Sequence, residues 1–159
     1  MLELQALGTL DLRADDEPVR AVLDRPQEAA LLAFLVLDRP GVFHHVGPLS
    51  SLFWPELDPG SAREALSRSL RLLDEALPDG VLAGLGDGQV GVALRHVRCD
   101  VYAFEDAVVA QRWEQALALY RGELLEGLVV PASDGFRQWL DGERERLRQL
   151  EERARAGRA

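Results

Sequence analysis

The chain has 159 residues, 47% of them hydrophobic and 28% charged, which excludes a disordered chain and leaves a globular protein of one domain or two small ones. All 18 positive charges are arginine, and 27 acids bring the net charge to -9, so bulk charge offers nucleic acid no attraction and any duplex binding must come from a local patch. A single cysteine, Cys99, excludes an intramolecular disulfide; with no basic-then-apolar leader at Met1 and no apolar run near the roughly 20 residues of a membrane span, the expectation is a cytoplasmic protein without membrane contact.

Residues 2–7 and 9–13 alternate apolar and polar positions, Asp15, Asp16 and Glu17 read as a turn, and residues 19–23 follow, so a small antiparallel sheet is expected first. Pro26 suits the first turn of a helix, and Ala29, Leu31, Leu32, Phe34, Leu35 and Leu37 continue it until Arg39, Pro40 and Gly41 stop the pattern. A second helix carries Leu49, Leu52, Phe53 and Trp54 and ends at Pro55, after which residues 58–61 read as a turn with Ser61 as the cap of a third helix. In that third helix Ala62, Ala65, Leu66, Ser69, Leu70, Leu73, Ala76 and Leu77 share one side of the wheel, until Pro78, Asp79 and Gly80 end it. Residues 81–83 and 90–94 then read as a β-hairpin whose connection, residues 84–89, holds the glycines that positive φ requires.

Beyond Arg98 the strand signals stop, and Val101, Phe104, Val108, Trp113, Ala116, Leu117, Leu119 and Tyr120 fall on helical stripes. Gly122, Gly127 and residues 129–131 interrupt them. A last amphipathic helix starts near Asp134, with Phe136, Trp139, Leu140, Leu147 and Leu150 on its apolar side and a solvated, fraying end from Glu151. The fold class expected is therefore α+β: a winged helix-turn-helix over residues 1–98, with an N-terminal antiparallel sheet and a C-terminal hairpin, followed by a helical-repeat segment over residues 99–159.

Enzymatic constellations are not readable. His44 and His45 would point about 100° apart on a helix and have no third ligand at a suitable spacing, so a solvated helix start is expected rather than a metal site. The glycines of residues 84–88 lack the Gly-Lys-Ser/Thr and the following helix of a phosphate loop. Cys99 has only His96 nearby and no third group, which marks a packed thiol rather than a nucleophile. Trp54, Trp113 and Trp139 lie on apolar stripes and read as core. No enzyme, metal or cofactor is expected.

The order of elements and several local runs carry a resemblance. Residues 30–37, the run Leu49-Ser50-Ser51-Leu52-Phe53-Trp54-Pro55-Glu56-Leu57, residues 61–77, the run Cys99-Asp100-Val101-Tyr102-Ala103-Phe104-Glu105, and residues 116–122 together resemble the antibiotic-regulatory-protein (SARP) type of transcriptional activator. That family joins an OmpR-type winged helix to a bacterial transcriptional activator domain of tetratricopeptide-like repeats, of which only about one and a half helix pairs would fit here. The resemblance implies that the third helix lies in the major groove of double-stranded DNA while the hairpin reaches the backbone or minor groove, with Arg63, Ser67, Arg68 and Arg71 as contacts. It departs from the family in charge. The exposed side of the third helix also holds Glu64, Asp74 and Glu75; Leu72-Leu73-Asp74-Glu75 stands where such helices carry a run like Arg-Leu-Arg-Arg; and Gly86-Asp87-Gly88-Gln89 brings no arginine to the wing tip. Two readings stay open: a DNA-binding regulator, or a winged helix that no longer binds DNA and serves as a protein-interaction or oligomerisation module. Because an abbreviated repeat domain leaves an apolar face uncovered, Phe136, Trp139, Leu140, Leu147 and Leu150 are expected to dock onto a second copy or a protein partner.

Overall fold

Strand β1 (Leu2–Gln5) buries Leu2 and Leu4 and pairs antiparallel with β2 (Asp11–Ala14), which buries Leu12. The computed structural model describes residues 1–84, 86, 88–130 and 133–159. Asp15 and Asp16 make the next turn with φ of 51° and 67°, a conformation that aspartate tolerates better than most residues, and lead into β3 (Glu17–Pro18) at the sheet edge. Residues 19–23 do not extend the sheet as expected. Pro18 offers no N–H for further pairing, and Val19 and Val22 are buried while Arg20 and Ala21 are exposed, a spacing of three that a helical turn, α1 (Arg20–Leu23), satisfies.

Helix α2 (Pro26–Leu37) starts and stops where the sequence marks it, and every residue from Ala29 to Leu37 is buried, as for a helix enclosed by neighbours on all sides. Helices α3 (Val46–Phe53) and α4 (Pro59–Ala76) pack against each other, and β5 (Leu82–Ala83) with β6 (Gln89–Val92) forms the hairpin. The second hairpin strand ends at Val92, short of the expected position 94, because Leu94–His96 turn into a 3₁₀ helix. The N-cap of α4 is Asp58 rather than Ser61: its carboxylate accepts the Ser61 N–H at 3.2 Å, so the helix begins at Pro59.

Two further strands carry no periodicity long enough to read in sequence. Strand β4 (His44–His45) adds to β6, giving the order β4-β6-β5, and β7 (Val97–Cys99) returns beside β1 in parallel, giving the order β3-β2-β1-β7. His44 is accordingly not a solvated helix start. It is 7% exposed, with its ring 5.1 Å from that of Phe34 and its Nε2 3.8 Å from the Asp38 carboxylate. Phe43 lies flat on the hairpin, where a Cβ on Gly91 would sit 2.3 Å from its ring; only glycine admits that approach.

Helices α5 (Asp100–Val109), α6 (Trp113–Leu119) and α7 (Asp134–Arg158) form the rest. Helix α7 stays regular to Arg158 where fraying was expected, since Ala154 is fully buried and a Cβ on Gly157 would stand 2.3 Å from the Trp113 ring. Its apolar side is not open to a partner as expected. Phe136, Leu140 and Leu147 are buried and Trp139 and Leu150 half-buried against the chain's own core, with Phe136 5.4 Å from Phe53 and Trp139 4.9 Å from Phe34, ring to ring. The winged helix covers the start of this face, and α5 and α6 cover the rest. Ser133 caps α7 by accepting the Phe136 N–H while its hydroxyl donates to the Leu52 carbonyl, and Trp139 Nε1 donates to Asp38 at 3.1 Å.

One continuous cluster of buried side chains therefore runs through both expected segments. At its seam Asp100, the first residue of α5, accepts the Ala6 and Leu7 N–H groups at 2.8 and 3.0 Å and the Arg121 guanidinium at 3.2 Å. Leu125 N–H donates to Ala6 O at 2.8 Å and Gly8 N–H to Glu123 O at 3.0 Å, while Arg144 donates to the Leu124 and Leu125 carbonyls. The Tyr102 hydroxyl donates to the Val36 carbonyl. Cys99 is buried beside Asp100, and burial pushes its thiol up to about 12, which leaves it unreactive at neutral pH.

Replacing Asp100 by alanine strands two backbone donors and a guanidinium, so Asp100→Ala is expected to lower unfolding stability by about 2–3 kcal/mol in denaturant titrations. An unchanged midpoint would contradict the role given to this carboxylate. Burial lowers the pKa of His44 against the opposing pull of Asp38, so the unfolded chain takes up the proton first and stability is lost as pH falls through about 6.5. The thermal midpoint is expected to fall more between about pH 7.5 and 5.5 in the unmodified chain than in His44→Gln.

Candidate nucleic-acid interface

The alternation of burial along α4 decides what this helix shows to solvent. Ala62, Ala65, Leu66, Ser69, Leu70 and Leu73 face the core, and Arg63, Glu64, Ser67, Arg68, Arg71, Asp74 and Glu75 are exposed. Ser69 is buried without cost because its hydroxyl bonds to Glu28 at 3.2 Å. At 18 residues α4 is about 27 Å long, and a helix of this kind fits the roughly 12 Å width of a B-DNA major groove. Asp58 at its N-terminus is held below the usual carboxylate range by the Ser61 hydroxyl and then by the Ser61 N–H, which adds a negative charge at the first turn.

The four residues expected to meet DNA fall together. Arg63, Ser67, Arg68 and Arg71 line one shallow depression of about 340 Å³ along α4, and Glu64 shares it. The Arg63 guanidinium also reaches back across the helix-turn-helix, since a Cβ on Gly47 at the start of α3 would meet its Nη2 at 3.2 Å. A second groove, of about 420 Å³, separates α4 from the hairpin; Ser67, Arg71 and Asp74 line it from the helix and Gln89 from β6, over a floor of Leu70 and Val90. Sequence reasoning missed the part played by Gln89 and Val90, because the hairpin comes beside α4 only in the fold. Gly86 and Gly88 have φ of 92° and 75°; Leu85 and Asp87, on which the reading of the wing tip partly rests, lie outside the described residues.

What this face brings together is three unpaired guanidiniums on one helix. Arg13, Arg39, Arg98, Arg121, Arg137, Arg144, Arg146, Arg148 and Arg155 each contact a carboxylate, whereas among the described residues Arg63, Arg68 and Arg71 form no ion pair, nor do Arg20, Arg25, Arg95, Arg112, Arg153 and Arg158, which lie outside α4. Guanidiniums without a protein partner keep all their donors for an outside acceptor. The three acids on the same face reduce its formal charge to zero, so the arrangement suits contacts made one by one rather than a broad positive field. Among the described residues no three His, Cys, Asp or Glu side chains gather as metal ligands, and no helix is long and apolar enough to cross a membrane.

No protein-family model and no curated protein matches the chain. Among solved structures its fold is similar to that of Mycobacterium tuberculosis EmbR, determined in complex with a low-affinity phosphopeptide, with a TM-score of 0.63 and 26% sequence identity over 97% of this chain. The chain spans 43% of the length of that one.

Proposed function

We propose that the chain is a DNA-binding transcriptional regulator that lays α4 in the major groove, with Arg63, Ser67, Arg68 and Arg71 as contacts to double-stranded DNA. One observation carries the reading: three arginines free of protein carboxylates stand together, lining one depression on the exposed side of the second helix of a helix-turn-helix. The fold shared with EmbR and the resemblance to the SARP family point the same way. In this reading residues 1–98 hold the DNA-binding elements, and residues 99–159, the tetratricopeptide-like part, brace them from behind, in the cytoplasm. Because α7 spends its apolar side on α2, α3, α5 and α6, a second copy or a protein partner would have to be met through another face.

A second reading rests on Glu64, Asp74 and Glu75, which cancel the charge of α4: a winged helix retained as a protein-interaction module. The two readings differ in a direct test with duplexes enriched from a randomised pool. Arg71→Ala is expected to weaken binding by about 1–3 kcal/mol, the cost of losing a base contact, and an unchanged affinity would remove Arg71 from the interface. If the second reading holds, the unmodified chain binds no duplex, and Asp74→Arg with Glu75→Arg creates salt-sensitive affinity where there was none.

A further inference from the structure

Asp74 is the acid on α4 that shares a groove with Arg71 and the hairpin. Ser67, Arg71 and Asp74 follow at i, i+4 and i+7, so they stand in line along one side of the helix and all three line the space facing Gln89. Glu64 belongs to the other depression and Glu75 lines neither. Asp74 is exposed and forms no ion pair among the described residues, so its carboxylate is as available as the Arg71 guanidinium beside it.

An ionised carboxylate only accepts hydrogen bonds. A duplex repels it from every phosphate and presents mostly acceptors in its major groove, so the groove satisfies it at an exocyclic amino group alone. Adenine N6 sits next to the N7 acceptor of its own ring, which repels the second carboxylate oxygen; on cytosine's own edge N4 is followed by the C5–H and not by an acceptor. Arg71, with its planar fork, suits guanine O6 and N7. Three residues of helix rise by about 4.5 Å, close to the roughly 3.4 Å between neighbouring bases on a strand, which puts the two contacts on adjacent base pairs.

We infer that Asp74 is a specificity-determining residue: it reads the amino group of a cytosine next to the guanine contacted by Arg71, and by repelling phosphates it keeps affinity for unrelated sequence low. This rests on the proposed DNA-binding reading and adds to it the identity of a base step. The negative charge on α4 is then part of the recognition chemistry rather than a sign that the helix has stopped binding.

The test is selection of duplexes from a randomised pool by the full chain, followed by affinity measurements on the selected site and its single-base variants for the unmodified chain, Asp74→Ala and Asp74→Asn, with circular dichroism to verify the helix content of each. A guanine next to a cytosine is expected at the centre of the selected site, and changing that cytosine to thymine should weaken binding about tenfold. Asp74→Asn should shift the preference at that position from cytosine to adenine, since a carboxamide pairs bidentately with adenine N6 and N7. Asp74→Ala should abolish the preference there and raise affinity for unrelated duplexes. If both variants tighten binding to all duplexes alike and leave the selected sequence unchanged, Asp74 only repels phosphate and the inference is overturned while DNA binding stands. If the unmodified chain enriches no duplex, the DNA-binding reading fails and this inference fails with it.

Discussion

The carboxylate of Asp100, with its side chain 7% exposed, joins the two halves of this chain, and the rest of the architecture depends on that join. It stands where β7 ends beside β1 and α5 begins, and it accepts two backbone N–H groups at the point where β1 has run out of strand partners. Without an acceptor there, Ala6 and Leu7 would be buried with unpaired donors, each a cost of about 1–3 kcal/mol. Held there, β1 keeps the N-terminal sheet in contact with α5, and the loop carrying Leu124 and Leu125 continues the pairing along the next residues. A helical segment that might have hung from a linker is instead fixed to the sheet by backbone hydrogen bonds.

The consequence for function lies in how α7 holds the helix-turn-helix. Helix α7 packs Phe136 and Trp139 against Phe53 and Phe34, and the close approach of Gly135 to Leu52 lets its first turn sit directly on α3. Aromatic side chains buried in this way contribute about 1.5–3 kcal/mol each, which is enough to fix α3, and α4 packs on α3 in turn. Arginines also divide between the two helices. On α7 most of them pair with acids about one turn away, as Arg146 does with Glu143 and Arg148 with Glu145, and among the described residues only Arg153 and Arg158 of that helix form no ion pair. On α4 all three stand free and line one depression, which gathers unpaired guanidiniums on the exposed side of the helix-turn-helix.

Long elements with one period were legible in the sequence. The bounds of α2, the split of α4 into a buried and an exposed side, and the hairpin all follow from spacing and from Pro and Gly at the ends. What escaped was set by tertiary partners. Strands of two and three residues, β4 and β7, are too short to show alternation, and the polar pair His44-His45 gives no local sign that one ring is enclosed by Phe34. Asp100 looks like any acid at a helix start until β1 is placed beside it. The apolar side of α7 was visible in full, but what covers it was not, because a repeat pattern suggests only a repeat as neighbour, and the chain adds α2 and α3 of the winged helix to α5 and α6. For the candidate site, periodicity was enough to bring Arg63, Ser67, Arg68 and Arg71 together; the groove shared with Gln89 required the fold.

A face with three free arginines and three acids differs from a uniformly basic one in how its affinity responds to salt. Each phosphate neutralised by a guanidinium releases condensed counterions, so the slope of log affinity against log salt counts the phosphate contacts directly. With one of the three guanidiniums given to a base, the remaining two imply a slope of about -2, far shallower than the roughly -10 of a strongly basic repressor surface. Titrating the unmodified chain with its selected duplex across a range of salt concentrations measures that slope. A value near -2 accords with DNA held by a few arginines of α4, and the absence of any saturable binding at the lowest salt would contradict it.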